Sequence, residues 1–86
     1  MEEKEIGVVT HYFTHISVAA IKITSDSLSV GDTIHIKGHT SDFNQKVDSM
    51  QIEHQSIQTA NVGDVIGLRV TEHAREDDKV YKVASE

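Results

Sequence analysis

The sequence contains no cysteine, no proline and no tryptophan. Without cysteine, the chain can form no disulfide, thiolate nucleophile or cysteine-ligated zinc site, and nothing marks an oxidising compartment. Aromatic residues make up only 5% of the chain, whereas readers of single-stranded nucleic acid interleave exposed rings with lysine and arginine. No apolar run approaches the ~18 residues of a membrane-spanning helix. These absences predict a soluble, cytoplasmic domain that folds without covalent cross-links.

What the chain does contain is a moderate apolar fraction and an excess of acid. Its 86 residues are 37% hydrophobic, with 8 lysines and arginines against 14 aspartates and glutamates, for a net charge of -6. This length predicts one domain, residues 1–86, of which residues 1–5 are a frayed or disordered start. The acidic balance argues against indiscriminate attraction to a phosphate backbone. Five basic residues in or beside predicted strands leave room for a local basic stripe: Lys22, Lys37, Lys46, Arg69 and Lys82.

The apolar residues recur with a period of two more often than 3.6, and many are β-branched, which is typical of strands. The clearest strand is 33–37, where Ile34 and Ile36 share one face and polar residues the other. The segment 39–46 is polar except for Phe43, and we predict a loop there. The predicted strands are 6–13, 18–24, 33–37, 47–54, 64–70 and 80–83. This pattern predicts an all-β fold, a small six-stranded antiparallel barrel with Greek-key-like connections.

Two turns of similar chemistry each precede a predicted strand. The segments 30–32 and 62–64 both read Val-Gly-Asp. Glycine accepts a positive φ that other residues resist, and aspartate can bond to the nearby backbone. The residues that we assign to structural turns, and not to a ligand, are Gly31, Asp32, Gly63 and Asp64.

The six histidines are the remaining candidates for metal binding and acid–base chemistry. Two pairs, His11 with His15 and His35 with His39, are four residues apart, a spacing that aligns side chains on a helix but not on strands. A zinc site needs three or four converging ligands, and no His-Glu-x-x-His helix is present. Adjacent glutamate and histidine residues point to opposite sides of a strand, so they form no ready dyad. We therefore predict no metal, no cofactor and no catalytic residue.

A polar strip on the fourth predicted strand, together with the predicted loop, is the candidate partner surface. A solvated barrel face explains the same alternation, because antiparallel sheets commonly leave one face in water. The residues proposed for this surface are Lys37, His39, Lys46, Gln51, Glu53 and Gln55.

Most of the chain resembles the β-barrel second domain of translational GTPases such as elongation factor Tu. The segments that carry this resemblance are 7–10 (GVVT), 19–21 (AAI), 28–38 (LSVGDTIHIKG), 47–52 (VDSMQI), 60–68 (ANVGDVIGL) and 80–83 (VYKV). The family's last turn usually carries a Gly-Asp pair, whereas this chain has Asp77-Asp78. No G-x-x-x-x-G-K-[ST] loop is present, which excludes GTP binding of that type.

The chain is also similar to the small barrel attached to collagenase-like peptidases, through segments 38–43 (GHTSDF) and 49–54 (SMQIEH). Those enzymes keep their catalytic residues outside the barrel, so this resemblance implies no protease activity. Together the resemblances imply a non-catalytic binding module, not an enzyme, that docks on RNA or a ribosome-associated partner. The alternative is a protein–protein interaction module without an RNA role. In either case we predict an unknown macromolecule, RNA or protein, as the partner, and no membrane or GTP.

Overall fold

The computed structural model describes residues 3–83, which contain ten β-strands and no helix. The all-β prediction is therefore confirmed. This part of the chain has no long apolar helix of the kind that crosses a membrane. Of the predicted frayed start 1–5, residues 1 and 2 lie outside the described residues, whereas Glu3, Lys4 and Glu5 are strand residues paired with residues 81–83 and are not frayed. The strands are β1 (Glu3–Phe13), β2 (Val18–Ile23), β3 (Leu28–Ser29), β4 (Thr33–Lys37), β5 (Asp42–Lys46), β6 (Met50–Ile52), β7 (Gln55–Ile57), β8 (Thr59–Ala60), β9 (Val65–Arg69) and β10 (Lys79–Val83).

Eight strands form one antiparallel sheet in the order β5-β4-β10-β1-β2-β9-β6-β7, and β3 pairs with β8 in a second, two-stranded sheet. Strands β5 and β7 are the edges of the large sheet. Within residues 3–83 these edges do not pair with each other, so strand pairing does not close the sheet. The predicted six-stranded barrel is not confirmed. One physical reason is that the predicted strand 47–54 bends back into the β6–β7 hairpin, and another is that β3, β5 and β8 lack a clear alternating pattern.

Strand β5 corrects the prediction of a loop over 39–46. It pairs with β4 along its whole length, with Phe43 opposite Ile36. Phe43 is the only side chain of β5 that reaches the core, and the other four are polar and lie at the surface or near it. Because an edge strand can expose most of its side chains to water, a single apolar residue left no periodic signal.

The sheets enclose one aliphatic core. Each strand of the large sheet except β7 contributes a fully buried or nearly buried apolar side chain, and β3 and β8 add one each. Burial of such side chains is the main favourable contribution to folding, about 25 cal/mol per Å² of apolar surface. The largest of these buried side chains are Ile6, Ile21, Ile23, Leu28, Ile34, Ile36, Met50, Ile66 and Leu68.

One turn occurs three times in this fold, at residues 29–32, 61–64 and 75–78. In each turn the amide of the first residue donates to the carboxylate of the aspartate at the fourth position, over 2.8, 2.8 and 2.9 Å. The amide of that aspartate donates to the carbonyl of the first residue, over 3.0, 3.0 and 3.1 Å. The third residue has a positive φ: 101° at Gly31, 97° at Gly63 and 74° at Asp77. The Asp77-Asp78 departure thus forms the same turn as the two Gly-Asp pairs.

Each turn also binds a buried aliphatic residue elsewhere in the chain. The third and fourth turn residues exchange two backbone hydrogen bonds with Val47, Ile23 and Val9 respectively, all of 2.8 or 2.9 Å. All three of these partners are fully buried. The turns therefore attach the loops to the buried core at three places.

The side chain of Gln45 connects the β5 edge to the chain around the end of β9. Its Nε2 donates to the carbonyl of Arg69 over 2.9 Å, and its Oε1 accepts from the amide of Thr71 over 2.8 Å. The side-chain amide takes the place of a backbone peptide group, since it offers one donor and one acceptor to a strand-like segment.

Candidate functional site

An apolar groove of about 370 Å³ lies on the outer surface of the large sheet. It is bounded by the β1–β2 hairpin on one side and the β6–β7 hairpin on the other, with β9 as its floor. The lining residues are Phe13, Ile16, Val18 and Ala20 from the first hairpin, Val65, Ile66 and Gly67 from β9, and Gln51, Glu53 and His54 from the second hairpin. We call this feature the β9 groove.

Most of the exposed large apolar side chains in residues 3–83 line the β9 groove. Phe13, Ile16 and Val65 are 45%, 56% and 50% exposed, and Val62 is the one other such residue in this part of the chain. Isolated apolar residues are ordinary on protein surfaces, but their gathering in one concave site is typical of a binding surface.

Small residues in the middle of the sheet create the depression. Gly67 stands opposite Ala20 on β2 and opposite Gln51 on β6. With a hydrogen at Gly67 and a methyl group at Ala20, the sheet surface is lower there than at the flanking Phe13 and Val65. A Cβ at Gly67 would lie 3.6 Å from Val18, an ordinary contact, so this glycine is not required by the packing.

The turn between β6 and β7 forms one rim of the β9 groove and has an unfavourable backbone conformation. Glu53 and His54 are its two central residues, with φ values of 51° and 68°. Positive φ at both positions is the requirement of a type I′ turn, which favours Asn-Gly. Left-handed backbone costs a residue with a side chain about 1–2 kcal/mol. The sequence-based prediction placed both residues in a strand, whereas Ile52 and Gln55 are the last pair before the turn.

The charge around the β9 groove differs between its two ends. Glu53 is the only lining residue that is formally charged at neutral pH. Beyond Gly67 the depression continues into a smaller one lined by Ser49 and Arg69. An occupant therefore meets a carboxylate at one end and a guanidinium at the other.

A histidine outside the β9 groove has both ring nitrogens bonded to carboxylates. Nδ1 of His35 lies 2.8 Å from a carboxylate oxygen of Glu3 and Nε2 lies 2.5 Å from one of Asp42, so the protonated ring can donate to both carboxylates. These hydrogen bonds, first to Asp42 and then to Glu3, raise the pKa of His35 above its ordinary value of 6.5. The side chain is only 14% exposed. It links β1, β4 and β5.

The structure separates the predicted partner surface into two regions. Gln51 and Glu53 line the β9 groove, and Gln55 follows in β7. The other members lie on the β4–β5 hairpin and its connection: Lys37, His39 and Lys46. No metal cluster of three or more histidine and acidic side chains occurs in the described ranges.

Sequence reasoning missed the apolar members of the β9 groove. Phe13 and Ile16 flank the β1–β2 turn, and Val65 is out of phase with the buried Ile66 and Leu68. An apolar residue on the solvent-facing phase of a strand is the signal that identifies such a position. The three side chains line one groove only because the β1–β2 hairpin is next to β9 in the sheet.

The sequence of this chain is similar to curated peptidases. It is 40% identical over 78 residues to a protein of Methanocaldococcus jannaschii named as an uncharacterized protease, and 36% identical over 78 residues to a collagenase of Porphyromonas gingivalis. Both alignments cover 90% of this chain but only 19% and 22% of those proteins. The chain thus spans about one fifth of the length of the curated relatives that it matches. No protein-family model matches it.

The fold is similar to that of an isolated peptidase domain. The crystal structure of the C-terminal domain of a Geobacillus thermoleovorans protein described as a U32 peptidase matches with a TM-score of 0.87 and 15% identity, over 94% of this chain and 93% of that one. GDP-bound aIF5B from Aeropyrum pernix contains a more distant match, with a TM-score of 0.63 and 10% identity, over 93% of this chain and 14% of that one. At these identities the two structures show the fold alone.

These comparisons confirm one resemblance and overturn two predictions. The resemblance to the barrel of collagenase-like peptidases is confirmed. The prediction of a translation-factor-like binding module is wrong, because the relatives named above are a protease and a collagenase and point to a domain of the peptidase family. The prediction that the chain is not an enzyme is overturned by the same names. They associate the chain with peptidases, and the solved structure that it matches is the C-terminal domain of one.

Proposed function

We propose that this chain is a domain of a U32-type peptidase system and that it holds a polypeptide segment in the β9 groove. The observation that carries the proposal is the gathering of Phe13, Ile16 and Val65 in one concave site, on a chain whose relatives are named as a protease and collagenases. Proteases and collagenases act on polypeptides, so a polypeptide is the occupant that fits both facts.

The chemistry of the β9 groove suits a peptide. Its floor is apolar and shallow, which favours an aliphatic side chain from an extended segment. The exposed amide of Gln51 is on one rim and can both donate to and accept from a peptide backbone. Of the predicted partner residues, Gln51 and Glu53 belong to this proposed site. Lys37, His39, Lys46 and Gln55 stay a prediction.

We also infer that the large sheet behaves as a closed barrel of the translation-protein type and that residues 1–86 act as one domain. The Gln45 amide supports closure, because it spans the gap between β5 and the end of β9. The structural match to aIF5B supports the barrel type at the level of fold. A closed sheet would keep the floor of the β9 groove rigid.

Binding of unfolded polypeptide by the full chain tests the proposed function. Fluorescein-labelled gelatin, which is denatured collagen, is titrated with the protein, and polarisation is measured. We expect saturable binding that Gly67→Val weakens about tenfold, since a Cβ at this position makes only ordinary contacts and the valine side chain occupies the floor of the groove. Asn44→Val, which adds the same side chain on the exposed surface of β5, is the matched control and should bind as the parent does. No saturable binding, or equal binding by both variants, would refute the proposal.

A further inference from the structure

We propose that the β9 groove selects polypeptide segments in which an apolar side chain is next to a cationic group. On this proposal, Glu53 and His54 occupy the β6–β7 turn, despite its unfavourable backbone conformation, because their side chains contact the bound segment. The inference rests on the proposed function and specifies its ligand. The cationic group is a lysine, an arginine or a free amino terminus.

The charge around the β9 groove supports a cationic ligand. Glu53 is the only formally charged residue that lines it, and the chain as a whole carries a net charge of -6. Glu53 is exposed, so its attraction to a cation is that of a surface charge pair, and the apolar contacts of the neighbouring residue supply the rest of the affinity. The net charge adds a longer-range preference for basic partners.

The two ends of the site also give a bound segment a direction. A cation at the Glu53 end places the following residues over Gly67, towards Arg69. Arg69 can then bind a carboxylate or a backbone carbonyl of the ligand. An apolar side chain between these ends would lie among Phe13, Ile16 and Val65.

The backbone of the β6–β7 turn is the second, independent observation. A two-residue hairpin turn with positive φ at both positions is most stable with Asn-Gly, but this chain has Glu53 and His54 there. Unfavourable backbone conformations persist where the side chains serve a purpose other than stability. Both side chains line the β9 groove, which identifies that purpose as ligand contact.

Three labelled peptides test the ligand preference on the full chain. In the first, leucine alternates with lysine; in the second, leucine alternates with glutamate; in the third, serine alternates with lysine. We expect the leucine–lysine peptide to bind at least about tenfold more tightly than either of the others. Glu53→Gln should reduce that preference about threefold, the effect of one exposed charge pair. Glu72→Gln removes an exposed carboxylate outside the groove and is the matched control.

The double substitution Glu53→Asn with His54→Gly separates recognition from turn structure. We expect its urea midpoint to rise, because Asn-Gly suits the turn, and its affinity for the leucine–lysine peptide to fall. Unchanged affinity would overturn the role of the turn. Equal affinity for the lysine and glutamate peptides would overturn the ligand preference, whereas saturable gelatin binding sensitive to Gly67→Val would still support the proposed function.

Discussion

At the scale of single residues, the three repeated turns show how backbone conformation and sequence agree or conflict. Gly31 and Gly63 occupy the position of positive φ in two turns, and a Cβ at either would have nothing within 4 Å. The cost of a side chain there is therefore a backbone cost and not a clash. Asp77 occupies the same position in the third turn with φ of 74°. Of these three turns, the third therefore has a backbone strain at Asp77 that glycine would relieve.

Asp77→Gly should stabilise the protein. Glycine adopts positive φ without steric penalty, and the change removes one negative charge from an acidic chain, so we expect a gain of about 0.5–1 kcal/mol in the free energy of unfolding. The backbone bonds of this turn to Val9 do not involve the replaced side chain. Urea denaturation measures the change. Gly63→Asp, the reverse substitution in the equivalent turn, should lower stability by a similar amount. A loss of stability in Asp77→Gly would contradict this account.

His35 makes stability depend on pH in the neutral range. Its pKa is raised in the folded protein by the hydrogen bonds to Asp42 and Glu3. The stabilisation is fully present below the unfolded pKa near 6.5 and is lost as the pH rises through the higher folded pKa. Of the aromatic residues, Tyr81 on β10 is the one that packs near the ring, at 6.1 Å between centroids.

His35→Gln should remove this pH dependence. We expect the parent protein to lose about 0.5–1 kcal/mol between pH 6 and pH 9, and the variant to lose less. The folded pKa of His35 is measured by NMR titration of the ring protons, and the stability by urea denaturation at each pH. Since one partner, Asp42, is 68% exposed, the effect is that of a partly solvated pair. A folded pKa at or below 6.5 would be inconsistent with the two hydrogen bonds.

At the scale of elements, the connection between β5 and the end of β9 depends on one side chain. Gln45→Ala removes both bonds of the amide to Arg69 and Thr71. We expect a loss of about 1–2 kcal/mol in the free energy of unfolding, the contribution of two ordinary hydrogen bonds. Hydrogen exchange of the Thr71 amide should accelerate by a larger factor than exchange in β1 or β2.

Gln55→Ala is the control for this prediction. Gln55 is an exposed glutamine on the other edge strand, β7, and its replacement should change stability by less than about 0.5 kcal/mol. If both substitutions have the same effect, the Gln45 amide does not connect the edge of the sheet.

The strands that could be predicted are those with one buried face. β4 and β9 alternate because Ile34 and Ile36, or Ile66 and Leu68, point inwards while their neighbours meet water. β5 could not be predicted, because Phe43 alone marks its inward face. The third turn was uncertain for a similar reason. Asp77 lacks the chemistry expected at a position of positive φ, and the hydrogen bonds to Val9 that hold it there are tertiary.

At the scale of the whole molecule, binding and stability use opposite faces of the same sheet. Along β9 the buried Ile66 and Leu68 alternate with Val65, Gly67 and Arg69, which face outwards. The polar rim of the β9 groove could be predicted from the sequence, since Gln51 and Glu53 belong to an alternating polar strip. Its apolar wall could not be predicted, because it forms only when β9 pairs with the β1–β2 hairpin, which is distant from it in sequence.

The pairing of the first and last strands also decides how the molecule responds to mechanical force. Glu3 pairs with Val83, so the two ends of the described chain lie side by side at the same end of an antiparallel ladder. A force that pulls these two ends apart acts across the β1–β10 ladder, so the hydrogen bonds between these strands break one after another, which is the unzipping geometry. The domain should therefore yield to stretching from its ends at low force, while the interior of the sheet resists the same pull applied along its strands.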